Sequence, residues 1–325
     1  MFIDFCILLI GLSLLLYSAD KMIESADAIA KKFNLSPVLI GLTIVAIGTS
    51  APELVITLFA ATKIVPATDA ITGNIIGSNI ANILLILGTS AFFFKINLDK
   101  LGTKDIIFLL LISLYFALLF YISQTVTLIH TIGYLVLTLF FINFLRNYKS
   151  SDQNEEQKIF GRYTYLILLS AFIGIFIGGK IFLDSSLNIF QTLGINEVLI
   201  GIFVLAIGTS LPELITVIIS YLKKKGSIGI GNVIGSNIMN ILFVFLPGVI
   251  IVQLRGLEYS LKNIDVFHIY ILILVTLMIA LMAILRIQMR KIHSAFFLIS
   301  YFLYLGYSFI SVSYTHLTLP TTPYV

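Results

Sequence analysis

The sequence predicts an all-α integral membrane protein whose ten transmembrane helices form two inverted five-helix repeats. Three observations predict it. The 325-residue chain is 59% hydrophobic and 11% charged, with a mean hydropathy of +1.07, which leaves too little polar surface to coat a water-soluble globule. Apolar runs recur along the whole length, each long enough to cross a hydrocarbon core of roughly 30 Å as a helix of about 20 residues. Two segments of the first half also recur, little changed, in the second.

The first run, 5–30, is long enough to be a span and shows no small-residue cleavage site of a signal peptide. The second, 36–62, holds "AIGTSAPEL", and the third, 69–94, holds "GNIIGSN". Runs 105–122 and 126–145 are continuously apolar and complete the first half. The most polar connection, "RNYKSSDQNEEQK" from Arg146 to Lys158, then intervenes. The second half repeats the plan with runs 162–190, 195–221, 227–252, 264–286 and 292–312; "AIGTSLPEL" lies in the second of these and "GNVIGSN" in the third. Because five is odd, the second half enters the membrane upside down relative to the first. The organisation is therefore a repeat over 1–145, a connection over 146–161 and a repeat over 162–312. The signature segments are 40–58 and 73–88, then 200–218 and 231–246. Residues 313–325 turn to Thr and Pro and read as either a disordered external tail or a cloning scar.

Alternating connections sort the basic residues. One side collects fifteen, from Lys31 and Lys32 through Lys95, Lys149 and Lys223 to Lys291, and the other only Lys63, Arg255 and Lys262. The positive-inside rule puts the rich side in the cytoplasm and both termini outside, so the expected location is the cell (inner) membrane. The same rule explains the basic pI near 9 and leaves no reason to expect a nucleic-acid partner. The expected partner is the lipid bilayer. With Cys6 as the only cysteine, neither an intramolecular disulfide nor a thiolate metal cluster can form.

Residues 40–54 match 200–214 at 10 of 15 positions, and 73–85 match 231–243 at 10 of 13. Interrupted helices in corresponding places of two inverted halves point to a transport site near the membrane midplane. Gly73 with Gly77, Gly231 with Gly235, and the prolines admit a plainer reading as close packing and kinks. Glu53 and Glu213 do not, because a charge at the centre of a span costs roughly 2.5 to 3.5 kcal/mol even on the lenient insertion scale.

Pro52 and Pro212 each remove a helical donor, which loosens the carbonyls of Gly48, Gly208 and their neighbours. Ser78 and Asn82 lie four apart and share a helix face, as do Ser236 and Asn240. Brought together, these segments offer two carboxylates, the amides of Asn82 and Asn240, the hydroxyls of Thr49, Ser50, Ser78, Thr209, Ser210 and Ser236, and backbone carbonyls. Oxygen ligands alone select hard cations, and many flexible ones suit Ca²⁺ better than Mg²⁺. His130, His268, His293 and His316 lie outside the repeats and read as ordinary polar residues. Two bare carboxylates in low dielectric are too costly to occlude, so the site should rearrange only when Ca²⁺, several Na⁺ or protons fill it. Competing ions on one ligand set make an exchanger.

These residues resemble the cation/calcium exchanger superfamily, in particular the prokaryotic sodium/calcium exchangers, over nearly the whole chain. The resemblance rests on ten spans, two inverted halves, and the duplicated G-T-S-x-P-E and G-N-x-x-G-S-N segments. It implies antiport of Ca²⁺ against Na⁺ by alternating access, with the first and sixth helices sliding over a core of eight. It also implies that Glu53, Glu213 and the Thr49 and Thr209 carbonyls hold Ca²⁺. Flanking Na⁺ sites would use Ser50, Ser78 and the Ala46 carbonyl on one side, and Ser210, Ser236 and the Ala206 carbonyl on the other. Asn82 and Asn240 would complete the middle. Some members carry an aspartate at one of those two places, whereas this chain has an amide at both.

No cofactor is expected beyond the transported Ca²⁺ and Na⁺, and a monomer should suffice. A Ca²⁺/H⁺ or K⁺-coupled exchanger is the alternative. A channel would call for pore-lining rings from several subunits rather than paired acids within an inverted repeat. No nucleophile–base pair or H-E-x-x-H motif suggests an enzyme. Asp20, Lys21, Glu24 and Asp27, near the end of the first span, read as ordinary intrahelical pairing or snorkelling.

Overall fold

The computed structural model describes residues 2–146, 161–193 and 210–317, with Lys100 and 309–317 described by backbone alone. Its helices, in order, are α1 (Phe2–Lys32), α2 (Pro37–Thr49), α3 (Ala51–Thr62), α4 (Thr68–Phe93), α5 (Thr103–Ile122) and α6 (Leu128–Arg146). They continue as α7 (Thr164–Thr192), α8 (Leu211–Leu222), α9 (Gly226–Leu254), α10 (Val266–Ile284) and α11 (Lys291–Leu317). Among the described residues, seven helices are long and apolar enough to cross a membrane, and α2 with α3, bent by 47°, makes an eighth. These eight match eight expected spans to within a few residues. Of the expected span 195–221, only the part in α8 is described. The expected span 292–312 lies in α11, whose backbone stays helical to Leu317, so the expected polar tail is helical over its first five residues. Residues 318–325, and most of the connection 146–161, lie outside the described residues.

Local chemistry explains the helix starts. Ser36 accepts a hydrogen bond from the Leu39 N–H at 3.1 Å, with Pro37 in the first turn of α2. Asp265 accepts from the Phe267 N–H at 2.9 Å to start α10, and Asp105 accepts from the Gly102 N–H at 2.8 Å at the start of α5. At Ser50, with φ −83° and ψ 8°, the helix breaks between α2 and α3. Pro52 follows in the first turn of α3, where its missing N–H costs least.

Two short strand pairs tie connections together. β1 (Ile96–Asn97) pairs antiparallel with β4 (Gln288–Met289), and β2 (Thr125–Val126) with β3 (Tyr259–Ser260). Near the second ladder, Arg255 donates to the Ala61 and Ile64 carbonyls and Asn263 to Asp69. At the far end of the molecule, Lys223 pairs with Asp20 and Glu24, each at 2.7 Å, and Lys225 with Asp27 at 3.1 Å. Phe94 stacks on Tyr221 there at 5.2 Å. The connections so tied, among the described residues, fall into two groups. The acidic residues of α1 do pair within their helix, Lys21 with Glu24 at 2.9 Å and Lys31 with Asp27 at 3.7 Å. Two of the three lysines after α8, Lys223 and Lys225, reach the same carboxylates from outside that helix.

Buried apolar side chains form two clusters. One gathers residues of α1, α2, α7 and α8 with Ile228 of α9, and the larger runs through α2 to α6 and α8 to α11. Helices α1 and α7 meet at glycines. A Cβ on Gly11 would stand 2.7 Å from the Phe182 nitrogen, and one on Gly178 2.7 Å from the Leu15 nitrogen. Outward faces carry bare apolar groups such as Phe59, Ile129 and Leu139, exposed by 73%, 79% and 67%. Such faces belong against lipid.

Candidate ion-binding site

One broken helix, α2–α3, the start of α8 and the two long helices α4 and α9 build the site. Glu53 stands in the first turn of α3 just after the break at Ser50, and Glu213 in the first turn of α8 just after Ser210, with φ −97° and ψ 4°. Both carboxylates therefore sit at the positive end of a half-helix, where exposed N–H groups favour negative charge. Each is only 1% exposed.

Helices α4 and α9 bring the serines and asparagines against these segments. The Ser78 hydroxyl donates to Glu53 Oε1 at 3.4 Å, and the Asn74 amide to the Glu53 carbonyl at 3.2 Å. The Thr49 hydroxyl donates to Asn232 Oδ1 at 3.0 Å and lies 3.3 Å from the Ser236 hydroxyl. The Ala46 carbonyl accepts the Ser50 N–H at 3.0 Å and the Thr49 hydroxyl at 3.4 Å. At Asn82 and at Asn240 the helix widens into a π turn, over Asn82–Leu87 and Asn240–Phe245. Such turns recur at functional sites because they re-aim a side chain without ending the helix.

Four asparagines join α4 to α9. Asn82 Nδ2 donates to Asn237 Oδ1 at 2.9 Å, and Asn240 Nδ2 donates to Asn79 Oδ1 at 2.9 Å. Asn79 Nδ2 donates to the Asn237 carbonyl at 3.2 Å, and Asn237 Nδ2 returns a bond to the Asn79 carbonyl at 3.2 Å. Exchanging 79 with 237 and 82 with 240 turns each bond into its mate.

Seven side-chain oxygens of the sequence-predicted residues are buried with no hydrogen-bond partner among the described residues. They are both oxygens of Glu213, Glu53 Oε2, the amide oxygens of Asn82 and Asn240, and the hydroxyls of Ser50 and Ser210. Native interiors rarely leave acceptors so exposed to desolvation cost. Oxygen acceptors clustered around two carboxylates suit a hard cation. Groups of three or more His, Cys, Asp or Glu that could hold a metal are absent among the described residues, so soft or borderline metals find no such cluster there.

A sequence model of the sodium/calcium exchanger protein family matches residues 3–146 and 163–310. The chain belongs to the sodium/calcium exchanger family. The sodium/calcium exchanger MaX1 of Methanosarcina acetivorans is 32% identical to it, over 80% of this chain and 84% of that protein. The inner membrane protein YrbG of Escherichia coli is 33% identical, over 75% and 79%. A structure of the sodium-calcium exchanger NCX_Mj superposes with a TM-score of 0.78 at 30% identity, covering 94% of this chain and 98% of that one. The exchanger is thus a multi-pass membrane protein of the cation/Ca²⁺ antiporter class, consistent with its not being an enzyme.

Of the twelve residues picked out from the exchanger's sequence, Glu53, Glu213, Thr49, Ser50, Ser210, Ser78, Ser236, Asn82, Asn240 and Ala46 are all buried at the α2–α3 break, at the start of α8, or on α4 and α9. Thr209 and Ala206 lie outside the described residues. Sequence reasoning missed Asn74, Asn79, Asn232 and Asn237. The signal was present, since each lies inside the duplicated G-N-x-x-G-S-N segments at the same place in both copies.

Proposed function

We propose that this chain is a secondary active antiporter that exchanges Ca²⁺ for Na⁺ by alternating access at an oxygen-lined site near the membrane midplane. Ten spans in two inverted halves, 1–145 and 162–312, place that site between α2–α3, α4, α8 and α9. The reading is carried by the seven buried, unpartnered oxygens gathered at equivalent positions of the two halves. Glu53 and Glu213 hold Ca²⁺ at the centre, aided by the Thr49 and Thr209 carbonyls. Ser50, Ser78 and the Ala46 carbonyl serve Na⁺ on one side, and Ser210, Ser236 and the Ala206 carbonyl on the other, with Asn82 and Asn240 in the middle.

The mechanism follows from charge. Two glutamates carry a formal −2, which one Ca²⁺ neutralises, and several Na⁺ can do the same. Without ions, the carboxylates would face each other in a low dielectric, and closing the site over them costs several kcal/mol per charge. Water reaching the site from one side supplies the missing solvation, so the empty protein stays open and only loaded forms cross. That restriction couples the two ion flows. The packing of α1 and α7 in a cluster of their own with parts of α2, α8 and α9 supports a sliding pair of gating helices, and the structures of NCX_Mj concern extracellular ion exchange and induced binding-site occlusion in that protein. The protein works as a monomer in the cell membrane, with both termini outside and the lysine-rich connections in the cytoplasm.

Uptake of ⁴⁵Ca²⁺ into proteoliposomes preloaded with Na⁺ or with choline, at fixed pH, tests this. Uptake should require internal Na⁺ and vanish in Glu213→Gln. Uptake indifferent to Na⁺ but driven by a pH gradient would reassign the protein to Ca²⁺/H⁺ exchange.

A further inference from the structure

The asparagine lattice between α4 and α9 fixes more than the distance between two helices. A backbone carbonyl can only accept, so the side-chain atom of Asn237 beside the Asn79 carbonyl must be its Nδ2, at 3.2 Å. Its other end, facing Asn82, is then Oδ1, and Asn82 has to present Nδ2 to it, at 2.9 Å. The amide oxygen of Asn82 is thereby turned the opposite way. The same steps, begun at the Asn237 carbonyl, run through Asn79 and turn the oxygen of Asn240. Each amide is thus aimed by an asparagine of the other half.

Both aimed oxygens are buried and unpartnered. Asn82 lies one turn beyond Ser78, whose hydroxyl reaches Glu53, and Asn240 one turn beyond Ser236, which sits against Thr49. An amide is two-faced, since its oxygen attracts a cation and its NH₂ repels one. Left unaimed, either amide could turn its NH₂ into the site and donate a hydrogen bond to a glutamate, which would weaken ion binding twice over.

We infer that Asn79 and Asn237 are positioning residues for the ion site, each holding the amide of the opposite half with its oxygen towards the ion. The inference rests on the site proposed above and adds the crossed pairing, Asn79 with Asn240 and Asn237 with Asn82. Neither asparagine touches the ion.

The test is equilibrium binding of ⁴⁵Ca²⁺ to the purified full chain in detergent, with the thermal midpoint read in parallel without Ca²⁺. Asn79→Ala and Asn237→Ala should each weaken Ca²⁺ binding about tenfold, as loss of a ligand-orienting partner does elsewhere. The double variants carry the decisive readout. Asn79→Ala with Asn240→Ala should bind no more weakly than Asn240→Ala alone, because the amide it served is gone. Asn79→Ala with Asn82→Ala should multiply the two losses, and Asn237 should show the mirror pattern. A residue that merely supported the fold would lower the thermal midpoint without this crossed coupling. Should the alanine variants not fold, serine at 79 and 237 keeps a hydroxyl for the facing carbonyl and is expected to give the same pattern. Unchanged binding in folded variants, additivity in every pair, or coupling within one half would overturn the inference. A wild type that binds ⁴⁵Ca²⁺ but shows no Na⁺-driven uptake would sink Na⁺ exchange and leave the positioning standing; one that binds none would sink both.

Discussion

Ser50 and Ser210 separate ligand from scaffold at the level of single residues. The Ser50 hydroxyl is buried at the break between α2 and α3 and that of Ser210 at the start of α8, and both are unpartnered among the described residues. Removing a structural hydroxyl strands its partner and costs about 1–3 kcal/mol. Removing one of these strands nothing, so Ser50→Ala should leave the thermal midpoint unchanged or slightly raised. It should also raise the half-saturating Na⁺ concentration of exchange roughly threefold to tenfold, about 1 kcal/mol for one lost neutral ligand, while moving the Ca²⁺ KM less. A lowered midpoint with unchanged Na⁺ dependence would make Ser50 scaffold. The residues of the site were legible because two carboxylates in oil demand a use and the repeat names their neighbours. Asn79 and Asn237 were passed over for a physical reason. They lie three residues before Asn82 and Asn240, and spacing alone places them near the same face without saying whether they meet the ion or each other across the helix pair.

At the level of elements, the break at Ser50 and the start of α8 after Ser210 were readable from Pro52 and Pro212. The π turns at Asn82 and Asn240 were not, since nothing in a run such as "NILLIL" distinguishes i+4 from i+5 bonding. The ion pairs from Lys223 and Lys225 to α1 were hidden for a similar reason: the same acids already had helical partners at the right spacing. Lys223 is only about a quarter exposed, and burial works to lower its amine, but hydrogen bonds to Asp20 and Glu24 outweigh that and hold it above the usual lysine range. A raised amine stabilises the fold below the ordinary lysine pKa and loses that contribution only as pH rises past it. The thermal midpoint should therefore show no Lys223-dependent change between about pH 6 and 9, and Lys223→Met should cost less than about 1 kcal/mol, as partly exposed pairs do. The crossing of α2 and α9 is a stiffer constraint. A Cβ on Gly235 would stand 2.6 Å from both the Cα and the carbonyl oxygen of Leu42, backbone atoms that cannot swing aside. Gly235→Ala should cost about 1–3 kcal/mol, read as a lower thermal midpoint in detergent.

For the whole molecule, the sorting of connections into two groups turns the charge bias into a claim about orientation. The group around α1's last turn, the residues after α8 and the β1–β4 ladder holds the lysine-rich connections, and the group around the β2–β3 ladder holds Lys63, Arg255 and Lys262. Interactions within each group fix which connections share a side, but only the positive-inside bias says which side is cytoplasmic. Cys6, the sole cysteine, makes this measurable, since Cys6→Ser gives a cysteine-free background. In that background Lys63→Cys and Lys224→Cys place single thiols at exposed positions of opposite groups. A membrane-impermeant maleimide applied to intact cells should label position 63 and reach 224 only after permeabilisation. The reverse pattern would invert the protein while preserving its fold, and would exchange which Na⁺ ligands face the cytoplasm. Labelling of both from outside would break the alternation itself, and with it the inverted halves on which the paired glutamates depend.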